Sequence, residues 1–241
     1  MEESVASLTD EIRGRLELLE SNLPKQVDGW ALSQLSKLPY KVQVYREALS
    51  WRMAELGRAA FEEFRKDKLA AAIVLTRAAV ESSAALWYLC AKVDTAVESA
   101  DVGDIGDYLM RMIAGIATVA PADASAGEPI TPRPIRIHNF LDRVEMDING
   151  FKHQYGILSE FAHPNWSGTI YLYAKHNKSK GVSDFGQNIR EPEGAKRIGV
   201  TNLAVALAMF ERSYNRVADL IPAFAQLCED RLKNAASSGT P

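Results

Sequence analysis

The sequence predicts an all-α protein: one bundle of about six helices with a small β-hairpin inserted after a His-Pro turn. Three observations predict it. Apolar residues recur at three- and four-residue intervals through most of the 241 positions, the spacing that lines one side of a helix. One long segment is apolar on almost every side, which suits a helix enclosed by others. A β-branched and aromatic run between Gly168 and Gly186 breaks the helical pattern once, as a hairpin would.

Taken in order, Ser7 or Thr9 is placed to cap a first helix on which Leu8, Ile12, Leu16 and Leu19 recur, ending before Pro24. After a loop near Val27–Trp30, Pro39 suits the opening turn of a long helix reaching Lys66. The enclosed helix follows from Asp67 to Val97, carrying Leu69, Ile73, Val74, Leu75, Val80, Leu86, Trp87 and Leu89. A shorter one spans Asp104 to Val119. Four of the ten prolines then fall between Pro121 and Pro134, so 120–136 reads as an exposed crossover loop within one domain.

Asn139 is placed to cap a helix running to His163, where Pro164 forbids further laddering. In 168–186, Thr169 to Tyr173 and Val182 to Phe185 read as strands around the turn-like Asn177 to Gly181. The last helix runs from Ala195 to Leu232, with Pro222 expected to kink or split it. Residues 1–232 thus form a single domain, and 233–241 a flexible tail.

Composition excludes several classes. A hydrophobic fraction of 47% and a charged fraction of 24% rule out wholesale disorder or a fibre. A net charge of −3 gives no global basic field for nucleic acid or anionic lipid. Cys90 and Cys228, the two cysteines, are too few for a disulfide scaffold or a cysteine-based zinc site. The acidic start, Met-Glu-Glu-Ser, lacks the basic n-region of a signal peptide. Arg77 and Glu81 interrupt the most apolar segment, so no membrane span is expected. A cytoplasmic protein with reduced cysteines is expected.

The chemistry-bearing residues are sparse. No phosphate-cradling glycine loop, Cys-x-x-Cys, His-Glu-x-x-His or Gly-x-Ser-x-Gly is present. At ~100° per residue, Phe140, Val144, Ile148, Phe151, Tyr155, Leu158 and Ala162 share one stripe. Ser159 and His163 lie on its margin, while His153 and Glu160 fall nearly opposite. The Glu160-x-x-His163 half-motif therefore points partly the wrong way, and no second copy exists to complete a di-metal site. Neither metal nor cofactor is expected. His163 either bonds the terminal carbonyls of its helix or lines a cleft with Ser159 and Asn165.

Arg77, Glu81 and Tyr88 fall within a narrow arc of the enclosed helix, beside Ala70, Val74 and Ala84. Four residues apart, Arg77 and Glu81 either pair with each other or leave room for an anionic ligand beside Arg77. Lys175, His176, Lys178 and Lys180 lie near Trp166, Tyr171 and Tyr173. Basic residues interleaved with aromatics are a candidate contact for a single strand of nucleic acid; a lysine-rich turn is also a common solvated tip.

Two segments carry a resemblance. Leu75-Thr-Arg77-Ala-Ala-Val-Glu81 is followed by Tyr155-Gly-Ile-Leu-Ser159-Glu160-Phe-Ala-His163-Pro164. Together they resemble a group of uncharacterised bacterial helical proteins that share Arg-x-x-x-Glu and Tyr-x-x-Leu-Ser-Glu-x-x-His-Pro helices. These in turn are similar to the HEPN superfamily, helical bundles frequent in toxin–antitoxin and phage-defence systems. The resemblance spans about residues 40–230.

It implies a homodimeric bundle that binds RNA, a nucleotide or a partner protein in a defence or stress setting. From the residues themselves, Tyr155, Ser159, Asn165 and Tyr88 are the candidate binding residues. Ribonucleases of that superfamily use Arg-x(4–6)-His. His163 stands where that histidine would, but Gly156, Ile157 and Leu158 occupy the arginine positions. Metal-independent cleavage by His163 with Arg77 and Glu81 is therefore the alternative reading. A third is a purely structural interaction protein.

Overall fold

The computed structural model describes residues 5–115 and 132–238. Among these residues the chain forms nine helices and one two-stranded antiparallel hairpin. They are α1 (Val5–Ser21), α2 (Gly29–Leu32), α3 (Leu38–Arg65), α4 (Leu69–Ser99), α5 (Ile105–Ile113), α6 (Ile137–Asp147), α7 (Phe151–Ala162) and α8 (Ile170–Tyr173). After these come β1 (Ala174–Asn177), β2 (Val182–Phe185) and α9 (Glu193–Ser238). The protein is an all-α bundle with a small inserted hairpin.

Its axis is α4. This helix packs against α3 and α9 most extensively and against α6 and α7 as well, which explains why it has almost no wet side. Ala72, Ile73, Ala79, Ala84 and Leu86 are fully enclosed, the small side chains of the three alanines letting neighbouring backbones approach. By length and composition α4 could cross a membrane, yet 61% of its most apolar window is buried within the fold. From α9, Leu203, Phe210, Val217 and Phe224 complete the interior. Burying a side chain of this size stabilises by about 1.5–3 kcal/mol.

Several boundaries differ from expectation, each for a local reason. The expected Asn139–His163 helix is two helices. Ile148 donates its N–H to Val144 and ends α6, and Gly150 adopts φ +85°, a conformation that costs glycine nothing. The inward stripe survives because α6 and α7 each lay their own apolar residues on the core. Glu145 bridges the break, accepting the N–H groups of Gly150 at 2.9 Å and Lys152 at 2.7 Å.

The first strand is displaced. Instead of extending, Ile170–Tyr173 makes a helical turn and pairing begins at Ala174, opposite Phe185. Asn165 causes this: its carbonyl accepts the Thr169 N–H at 3.0 Å and its side chain accepts Gly168 at 3.1 Å, local bonds that outcompete a ladder.

The last helix passes through Pro222 without splitting. Pro222 and Ala218, whose carbonyl loses its intrahelical donor there, both face solvent. Residues 233–238 continue α9 instead of fraying. Lys233 approaches Glu229 and Asp230, and the Ser237 hydroxyl donates to the Lys233 carbonyl at 2.9 Å. Near the other end, the expected loop at 27–30 contains α2, capped by Asp28. The fourth helix stops at Ile113; most of the Pro-rich loop and residues 116–119 lie outside the described residues.

Candidate functional site

Arg77 and Glu81 sit one turn apart on α4, and α7 lays Tyr155 across them. The Tyr155 hydroxyl accepts from Arg77 Nε at 3.0 Å and from a terminal guanidinium nitrogen at 2.8 Å. It donates to Glu81 Oε1 at 2.7 Å. Arg77 and Glu81 also pair directly at 3.3 Å, with side chains 29% and 31% exposed. Burial and the bond to Glu81 raise the Tyr155 pKa, against the pull of Arg77. The phenol therefore stays neutral and keeps its proton for Glu81. The Tyr155 hydroxyl is thus shared between Arg77 and Glu81, an arrangement that ties α7 to α4.

The remaining candidates do not join it. Tyr88 lies seven residues beyond Glu81, ~10 Å along the helix. There it packs edge-on to Phe140, with centroids 5.2 Å apart, and against Tyr108 at 6.0 Å. Burial, reinforced by Tyr108, pushes its pKa up to about 12. His163 is the exposed residue ending α7, two turns or ~12 Å past Tyr155. Its backbone N–H donates to the Ser159 carbonyl at 3.1 Å.

Behind His163 the chain folds back tightly. A Cβ at Gly168 would lie 2.1 Å from the His163 carbonyl oxygen, so this turn admits only glycine. Asn165 serves the same turn, donating to Glu160 at 2.6 Å besides its bonds to Gly168 and Thr169. Ser159 is half-buried on α7. The half-motif residues Glu160 and His153 are exposed. No cluster of three or more potential metal-ligating side chains occurs among the described residues.

The hairpin touches the fold chiefly through α8. Lys175, Lys178 and Lys180 are all exposed, with Asp184 opposite Lys175. Phe185, opposite Ala174 at the base of the hairpin, is 76% exposed, Trp166 in the preceding turn is 59% exposed, and Tyr173 is also open to solvent. His176 Nδ1 lies 3.1 Å from the Ser183 hydroxyl across the strands.

Sequence reasoning missed a second polar cluster. Arg46 and Glu47 on α3 are almost fully buried and ion-paired. Arg46 Nε donates to the Tyr214 carbonyl at 2.9 Å, and the Tyr214 hydroxyl donates to Glu47 Oε2 at 2.7 Å. The signal was available: Val42, Arg46, Leu49 and Met53 follow one another at the spacing of a core stripe, which places Arg46 inside.

No family model matches the chain, and no curated protein or solved structure matches it either.

Proposed function

We propose that the protein is a non-catalytic, HEPN-like helical module that binds single-stranded RNA through its hairpin. It would act in the cytoplasm, as a homodimer, in a defence or stress setting. One observation carries the reading: Lys175, Lys178 and Lys180 are all solvent-exposed on the hairpin, with exposed Phe185 on its second strand and exposed Trp166 and Tyr173 in the segment leading into it. Aromatic faces accept any base by stacking, and lysines track the phosphates. The triad favours binding over cleavage, since Arg77 and Glu81 are committed to Tyr155 and His163 lies turns away.

Fluorescence anisotropy with a short unstructured RNA, from ~50 to ~200 mM salt, is the test. Binding that weakens steeply with salt, on RNA that stays intact, is expected. Substituting all three lysines by alanine lowers the salt slope by about 2–3. Cleavage lost in His163→Ala would replace this reading with the ribonuclease one. Absence of binding at low salt would leave a structural interaction protein.

A further inference from the structure

Helices α4, α6 and α9 border an open cleft of ≈ 940 Å³, within the usual range of small-molecule sites. Its apolar lining includes Trp87, Ile148 and Met209. Arginines and aspartates alternate around them, and most of these charges are already matched. Asp147 accepts the Trp87 indole N–H at 2.8 Å and an Arg143 nitrogen at 2.9 Å. Although burial opposes it, these two bonds hold the Asp147 carboxyl below its ordinary pKa. Arg216 is bonded to Asp94.

Arg212 is different. Its guanidinium lies 5.9 Å from the Trp87 ring centroid, it is exposed, and among the described residues it makes no ion pair. An indole held by its N–H and a guanidinium without a direct ion pair among the described residues thus border one open space. Asp219, seven residues further along α9, lines the same cleft and makes no hydrogen bond among the described residues. Cys90 also lines it, but burial, with Asp94 adding, pushes its thiol up to about 11. It contributes apolar surface there, not a nucleophile.

We infer that this cleft binds a nucleoside monophosphate, the base against Trp87 and the phosphate on Arg212. The charge balance selects the class. A phosphate monoester carries about −1.5 to −2 at neutral pH, a small compact charge that the Arg212 guanidinium, without an ion pair among the described residues, can meet in part. Asp219, without an ion pair among the described residues, repels the additional charge of a triphosphate or a polynucleotide backbone. The site is independent of the hairpin, so either proposal can fail alone.

Isothermal titration of the full chain with AMP and GMP tests it, with adenosine and inorganic phosphate as comparison arms. At least one nucleotide binds, and more tightly than adenosine or phosphate. Arg212→Ala weakens it about tenfold or more, the worth of a charge-assisted hydrogen bond. Trp87→Ala weakens it as well, and Trp87→Phe recovers part of the loss by restoring an aromatic face. Arg212 is exposed, so its variant keeps the wild-type melting temperature and isolates binding from folding. Failure of both nucleotides to bind the wild type overturns the inference. So does adenosine binding as tightly as AMP, or an Arg212→Ala variant with wild-type affinity.

Discussion

The guanidinium carbon of Arg46 lies 3.4 Å from the centroid of the Tyr214 ring, close enough for the cation to rest on the aromatic face. Glu47 closes the arrangement by pairing with Arg46 and accepting the Tyr214 hydroxyl. Both charges are almost fully buried, so removing one strands the other. Glu47→Ala is expected to cost about 3–5 kcal/mol, the usual consequence of an unmatched buried charge. Urea denaturation measures it; a loss under ~1 kcal/mol would mean that water reaches Arg46 freely.

The Arg77–Tyr155–Glu81 triad is wetter and its substitutions are gentler. Tyr155→Phe keeps the ring and deletes one hydroxyl that serves both charged partners. It should cost about 1–2 kcal/mol. For a chain of this size that lowers Tm by roughly 2–8 °C, readable by calorimetry. Arg77→Ala combined with Glu81→Ala should cost less than the two single changes summed, because each single change abandons a partner. Strict additivity would refute direct coupling.

His163→Ala is expected to stay within about ±0.5 kcal/mol of wild type. The ring is exposed, and the bond that ends α7 comes from the backbone N–H, which alanine retains. A large fall in thermal stability would show that the imidazole makes a contact of its own.

Acid should loosen the join between α6 and α7. Hydrogen bonds from the Lys152 and Gly150 amides hold the Glu145 carboxyl below its ordinary value of 4.5, outweighing desolvation. A carboxylate with a lowered folded-state pKa stabilises fully above that ordinary value and loses its contribution as pH falls below it. Wild type and Glu145→Gln should therefore differ by a constant amount from neutrality down to about pH 5, then converge. Thermal melts across that range suffice, and a gap independent of pH would rule out the linkage.

Much of this fold is legible in the sequence because α4, α7 and α9 bury regular stripes that report their own geometry. The pairing of Arg77 with Glu81 follows from four-residue spacing alone. That Tyr155 completes it does not, since contact between helices distant in sequence depends on packing angle. Gly150 and Asn165 mark where the reading failed. In each case a single residue with a local backbone solution outweighed an apolar pattern that would have continued through it. Arg46 is a charged residue on a core stripe: Val42, Leu49 and Met53 at helical spacing carry it inward.

The base of the hairpin is anchored at one distant residue. Gln187 and Asn188 both donate to the Asp67 carbonyl, and Lys196 pairs with the Asp67 carboxylate. Asp67 itself sits in the left-handed turn between α3 and α4, at φ +55°. Arg190 meanwhile fastens the loop to the Ala174 carbonyl at 2.6 Å. The hairpin is thus a lever whose fulcrum is the corner joining the two longest helices before α9. If the hairpin binds RNA as proposed, amide exchange around Asp67 is the place to look for an effect at a distance from the contact.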